Sequence, residues 1–154
     1  MSASADLQQA IAAVLGAPDA LRVAVPIVAR RQKELGAEIE AAAANKGLCI
    51  YVMPPLPTRA MQGVSFVFFE AAEVRIRIIE QPPANSTGAD AYDLVDDVAT
   101  ALHWQPKEAG SPLSAILGHP LQLASRPTEM VEDPRTRIID VIFDATFQLN
   151  PPTP

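Results

Sequence analysis

The sequence predicts an α+β domain: a mixed, mainly antiparallel sheet of about four to six strands, helices packed on one face, and a long C-terminal β-hairpin. Three observations carry that class. Apolar residues recur at helical spacing near residues 5–15, 26–44 and 91–104. Continuous or alternating apolar runs mark strands at 48–53, 73–81 and 137–149. Fifteen prolines in 154 residues cluster at 54–57, 82–83 and 151–154 and stand singly elsewhere. Each removes a ladder donor or stops a helix, so they punctuate a domain instead of forming a linker.

The first helix is expected from about Ala5 to Leu15, with Leu7, Ile11, Val14 and Leu15 on one face. Ser4 is its expected N-cap and Gly16 its stop. A second helix is expected from about Pro26 to Ala44, with proline in the first turn. Val28, Leu35, Ile39 and Ala42 form its buried stripe; Arg30, Lys33, Glu34, Glu38 and Glu40 are solvated. Asn45-Lys46-Gly47 closes it, glycine supplying the left-handed residue.

Leu48–Met53 is apolar throughout and reads as a strand buried on both faces, ended by Pro54-Pro55-Leu56-Pro57. Val64–Phe69 and Glu73–Gln81 follow. In the second, Val74, Ile76 and Ile78 alternate with Arg75 and Arg77. Residues 64–81 form either a hairpin or one long bent strand, since Glu70-Ala71-Ala72 lacks the glycine or asparagine of a tight turn.

The third helix carries the strongest pattern. Thr87-Gly88-Ala89-Asp90 has capping-box spacing. Ala91, Leu94, Val95, Val98, Ala101 and Leu102 then form one apolar face, and the helix ends near Trp104. Asp90, Asp93, Asp96 and Asp97 crowd its first half, where the macrodipole favours negative charge. A loop, Gln105–Gly118, leads to a strand within Leu121–Val131 broken by Pro127, then a turn at Glu132-Asp133-Pro134-Arg135. The last strand, Arg137–Leu149, turns Ile139, Val141, Phe143, Ala145, Phe147 and Leu149 to the core. At about 3.3 Å per residue it spans about 40 Å. A strand so long is expected to project past its neighbours or to pair with another subunit. The reading is one domain over 1–150 and a Pro-rich tail at 151–154.

Composition narrows the function. Hydrophobic residues make up 49%, enough for a sizeable core, and twelve Lys+Arg face eighteen Asp+Glu for a net charge of −6. That balance argues against a phosphate-gripping nucleic-acid domain and a polybasic membrane anchor. No basic-then-apolar leader pattern opens the sequence. No apolar run approaches the ~20 residues of a spanning helix. The single cysteine, Cys49, excludes an internal disulfide and a multi-cysteine zinc site. The Asn85-Ser86-Thr87 sequon reads as a chance match.

The search for chemistry assigns no catalytic, cofactor-binding or metal residue, and no cofactor. His103 and His119 are the two candidate bases; one ends a helix, the other lies between Gly118 and Pro120, and both read as structural. Cys49 inside LCIYVM reads as an inert core residue. Asp93 and Asp97 stand one turn apart and could share a cation, but no histidine accompanies them, and a solvated helix face is the simpler reading. Phosphate-loop, dinucleotide and HExxH signatures are absent from the sequence. The Arg75/Arg77 and Asp140/Asp144 stripes are expected to pair across the sheet or across a subunit boundary.

The segment VRIRIIEQPPANSTGADAYDLVDDVATALHW brings a strand into Glu80, then a Pro–Asn turn, then a helix ending in Leu102-His103. With the terminal hairpin, this order resembles small tail-assembly proteins of tailed phages and prophages, the tail terminator and minor tail proteins. The resemblance covers about Leu48–Leu149; the two helices before it exceed what the smallest terminators carry. It implies a non-enzymatic building block of the virion tail, present in the host cytoplasm during assembly. Terminators form a homo-oligomeric ring, commonly of about six subunits joined head to tail. That ring contacts the tail tube and head–tail connector proteins, and DNA passes through its lumen without specific binding; no membrane is involved. The other reading is a monomeric binding or adaptor module, or an assembly chaperone of virion morphogenesis.

Overall fold

The structure, a computed structural model, describes residues 3–29, 35–61, 68–108, 110–124, 127–133 and 135–147. Its helices are α1 (Ala3–Leu15), α2 (Leu35–Lys46), α3 (Ala91–Leu102) and α4 (Pro112–Ile116). Its strands are β1 (Ile27–Val28), β2 (Leu48–Val52), β3 (Leu56–Met61), β4 (Phe68–Glu80), β5 (Leu117–Leu123), β6 (Thr128–Asp133) and β7 (Thr136–Phe147). These seven strands belong to one sheet, in the order β1-β2-β4-β7-β5, with β3 also on β4 and β6 also on β7. Among the described residues only β1–β2 is parallel. The α+β class and the C-terminal hairpin, β6–β7, stand as the sequence indicates.

Two long antiparallel strands form the spine. β4 and β7 pair from Ala71↔Thr146 to Glu80↔Arg137. Along the outer side of β4, β2 takes the second half and β3 the first. Along the outer side of β7, β6 takes the first half and β5 the last. The length of β7 is therefore satisfied on both sides within the chain, and its expected overhang or intersubunit pairing is not what the described residues show. A strand of this length needs no second subunit when two short strands share one of its edges.

Period-two burial fixes which face is which. Val74, Ile76 and Ile78 of β4 and Ile139, Val141, Phe143, Ala145 and Phe147 of β7 are all buried. They meet Leu7, Ile11 and Leu15 of α1 and Ala91, Leu94, Val98 and Leu102 of α3. This is the principal core, and its helices share one face. α2 lies against the opposite face, where Ala43 packs with Cys49, Ile79 and Ile138. β2 is buried at all five positions because helices cover both its sides.

Several boundaries move. α1 begins at Ala3, so Ser4 lies inside the helix and is not its cap. The segment expected to open the second helix is instead β1, with Ile27 opposite Ile50 and Val28 opposite Tyr51. α2 begins only at Leu35; Arg30, Lys33 and Glu34 lie outside the described residues. The Pro-rich stretch after β2 does not end the sheet. Leu56–Met61 returns as an edge strand, with a register shift between Pro57 and Arg59 where the ladder bends around the missing donor. Phe68–Glu80 is one strand, with no turn at 70–72; of the expected Val64–Phe69 element, 64–67 lie outside the described residues.

Asp90, not Thr87, caps α3. Its side chain accepts from Asp93 N at 2.8 Å, and Asp93 Oδ2 accepts from Asp90 N at 3.1 Å. Thr87 instead ties down the preceding loop, its hydroxyl donating to Asn85 Oδ1 at 2.7 Å. The helix closes at Leu102, with His103 as C-cap, before Trp104. The expected loop Gln105–Gly118 holds α4 and the start of β5. The expected Leu121–Val131 strand is split between β5 and β6 around Pro127.

Candidate functional site

The chemistry-bearing residues gather in four places. The first is the junction between the end of β4 and the start of α3. Glu80 is 2% exposed. Its Oε1 accepts from Arg137 Nη1 at 2.8 Å and from Ala91 N at 3.3 Å, and its Oε2 accepts from Asn85 Nδ2 at 2.7 Å. Ala91 is the first residue of α3, so the carboxylate also meets the positive end of that helix. Arg137 reaches Glu129 Oε1 at 3.5 Å and lies 4.7 Å over the ring of Tyr92. Tyr92 donates its hydroxyl to Glu129 at 2.9 Å, which raises the phenol's pKa.

The second is the charged half of the face that α2 shares. Asp140 is fully buried between two arginines of β4. Arg77 donates from Nε to Oδ1 at 2.9 Å and from Nη2 to Oδ2 at 3.0 Å, and Arg75 donates from Nη1 to Oδ2 at 3.3 Å. Arg75 also donates from Nη2 to Glu73 at 2.8 Å, while its Nε is buried without an acceptor. Arg77 and Asp140 are direct ladder partners. The pairing is thus across the sheet within one chain. Asp144, also expected in that stripe, is exposed.

The third is the acidic face of α3. Arg22, in the loop after α1, donates from Nε and Nη2 to Asp97 at 3.0 Å each, and its backbone N–H reaches Asp97 Oδ2 at 2.9 Å. Its Nη1 meets Asp93 Oδ1 at 3.2 Å. The hydrogen bond from Arg22 holds the Asp97 carboxyl below its ordinary range. Asp93 and Asp97 do share a cation, but it is a guanidinium. Among the described residues no group of three or more His, Cys, Asp or Glu is placed to hold a metal ion.

The fourth is the corner after α3. His103 Nδ1 accepts from Leu123 N at 3.2 Å, and its ring meets Trp104 edge-on at 5.0 Å. Trp104 N donates to Leu121 O at 2.8 Å, and Leu121 N donates to Gln105 O at 2.8 Å, so residues 103–105 lie against β5. Trp104 and Leu123 are 53% and 40% exposed. His119 lies exposed on β5, opposite Thr146. Cys49 is buried, and burial pushes its thiol up to about 11. The two histidines and the cysteine are thus on separate elements. Tyr92, Glu129, Arg137 and Arg22 are participants that sequence reasoning does not single out; each has a partner at least 37 residues away.

No family model matches the chain, and no curated protein matches it. Among solved structures, a chain from the "Virion of native gene transfer agent (GTA) particle" is similar, with a TM-score of 0.49 and 18% identity over 94% of this chain and 92% of that one.

Proposed function

We propose that this protein is a non-enzymatic structural subunit of a phage or prophage tail, a tail terminator or tail-completion protein that assembles as a ring of about six copies. One observation carries the non-enzymatic part. Among the described residues the two buried carboxylates, Glu80 and Asp140, are each held by arginines of the same chain. An acid that donates or accepts protons in catalysis needs an open side toward its substrate; these acids are spent on joining strands and a helix. The tail assignment rests on the resemblance of the segment from Val74 to Trp104. Its element order, strand to Glu80, turn, helix to Leu102, is the order in the fold. Its partners on this reading are further copies of itself, the tail tube and the head–tail connector.

A second reading draws support from β7. Because the described length of that strand is paired on both sides within the chain, β7 needs no neighbouring subunit to complete its ladders, as suits a monomeric adaptor or assembly chaperone. The mass of the protein across a concentration series, with negative-stain images of the most concentrated sample, separates the two. A closed ring of about six copies is the expected outcome. A monomer at every concentration that also fails to bind assembled tail tubes would overturn the terminator reading.

A further inference from the structure

The corner after α3 covers an edge of the sheet. Gln122 is a ladder partner of Asp144, and Ala124 N donates to Ile142 O, so these groups of β5 and its end face β7. By alternation Leu121 and Leu123 turn their backbone groups the other way. Leu121 N donates to Gln105 O and Leu121 O accepts from Trp104 N, each at 2.8 Å. Leu123 N donates to His103 Nδ1 at 3.2 Å. Outward groups of this kind invite pairing with another strand; here residues 103–105 occupy them.

Two of these three bonds join backbone groups, which do not titrate. The third does. A backbone N–H only donates, so the ring nitrogen facing it carries the lone pair and the neutral imidazole keeps its proton on Nε2. A proton added at Nδ1 sets donor against donor. The displaced ring then finds no ready acceptor at the end of α3. Ala99 O and Leu102 O accept from His103 N and Gln105 N, Thr100 O from Lys107 Nζ, and Ala101 O from Gln105 Nε2. The charged and titratable groups on the elements around the ring are Asp96 and Asp97 about two turns back on α3, Lys107 and Glu108 after it, His119 on β5 and Asp144 on β7. Asp97 is held by Arg22 and Lys107 by Thr100 O. Trp104 adds a bias toward opening. Its φ of 67° lies in the left-handed region, where a β-carbon crowds the following carbonyl oxygen, and such a backbone persists only while its surroundings hold it. The His103 ring, edge-on to the indole at 5.0 Å, is one of those surroundings.

We propose that His103 is a pH-sensitive latch on the edge of β5. Neutral, its Nδ1 holds Leu123 N–H and closes the end of the edge. Protonated, it releases that N–H to solvent, while Leu121 stays bonded to residues 104 and 105. The freed group lies beside the exposed side chains of Leu123 and Trp104, so an open edge and an apolar surface appear together on acidification.

The test is amide hydrogen exchange by NMR, as protection factors corrected for the intrinsic effect of pH, between about pH 7.5 and about pH 5, where histidines take up their proton while carboxylates stay ionised. Leu123 is expected to lose about tenfold in protection, the worth of one hydrogen bond, while Leu121 changes less than about twofold. In His103→Asn the amide oxygen accepts in place of Nδ1 without titrating, so the loss at Leu123 is expected to vanish; His119→Asn is expected to keep it. Nitrogen-15 shifts of the unsubstituted protein at the higher pH are expected to show Nδ1 as the unprotonated nitrogen of His103, a readout that needs no variant. Leu123 protection that does not change with pH, or that falls equally in His103→Asn, would overturn the proposal. So would an equal loss at Leu121, which would show general loosening, or a proton on Nδ1 at the higher pH.

Discussion

Arg137 stands directly opposite Glu80 in the β4–β7 ladder and donates to its carboxylate at 2.8 Å. The same carboxylate takes Asn85 and the first N–H of α3. One buried side chain therefore joins both central strands to the helix that covers them. Glu80→Ala takes one acceptor from the guanidinium, which keeps Glu129, and one from the Asn85 amide, which keeps Ala89 O, and leaves a helix N–H without the Glu80 oxygen. The expected cost is about 2–4 kcal/mol in urea unfolding. Arg137 is partly solvated, but Arg137→Ala leaves Glu80 buried with its charge less compensated, so its cost is expected to be comparable. A loss below about 1 kcal/mol for Glu80→Ala would show that the junction is held by packing alone.

The Asp140 cluster makes an asymmetric prediction. Arg75 and Arg77 are 34% and 26% exposed at the side chain, whereas Asp140 is at 0%. With Asp140→Ala the arginines turn to water. With Arg75→Ala and Arg77→Ala together, a carboxylate stays buried with neither of those partners. The double arginine variant is expected to lose about 3–5 kcal/mol, more than the aspartate variant. The single substitutions are expected to be non-additive, since they share one acceptor. Equal losses from the two sides would contradict this account.

How far the sequence discloses these arrangements depends on the range of the interaction. α3 and β7 are legible because burial repeats within each element: Leu94, Val98 and Leu102 at a spacing of four, Ile139 to Phe147 at a spacing of two. β1 is not, because two residues carry no period and their strand character comes from Ile50 and Tyr51. β3 and β5 are obscured by Pro57 and Pro120, which an edge strand tolerates where an internal one does not. The cap of α3 is ambiguous in sequence because Thr87–Asp90 and Asp90–Asp93 have the same spacing, and the burial of Ala89 and Ala91 selects the second. The Arg75/Arg77–Asp140 pairing follows from alternation once the register is known. Glu80–Arg137 spans 57 residues with no local signal.

Arg22 and Asp97 supply the pH-dependent element. The hydrogen bond from Arg22 lowers the Asp97 pKa below the ordinary aspartate value. A depressed folded-state value stabilises the protein fully above the unfolded-state value. That contribution is lost as pH falls through the folded one. Stability is therefore expected to fall on acidification below about pH 4 through this pair. Arg22→Ala is expected to return Asp97 to the ordinary carboxylate range, read by carbon-13 NMR of its carboxyl. High salt is expected to weaken the pair, since it is solvent-exposed. An Asp97 titration unaffected by Arg22→Ala would show that another group sets its affinity for protons.

Gly47 fixes where the second core face meets the Glu80 junction. It has φ 77°, and a β-carbon added there would lie 2.3 Å from Asn85 N and 2.4 Å from Ala84 C. Both neighbours are backbone atoms, so no side chain can swing aside. Gly47 N donates to Ala43 O and Gly47 O accepts from Gln81 N, each at 2.8 Å. The glycine is thereby pinned between α2 and the turn that carries Asn85 to Glu80. Gly47→Ala combines left-handed strain with a backbone clash, and is expected to cost about 2–4 kcal/mol in urea unfolding. Gly88 is the control. It also has a positive φ, 85°, but a β-carbon added there would meet nothing within 4 Å among the described residues. Gly88→Ala is therefore expected to cost only the conformational part, about 1 kcal/mol. If the two variants lose the same stability, the close approach of residues 84–85 to Gly47 contributes nothing, and the turn's hold on Glu80 does not depend on it.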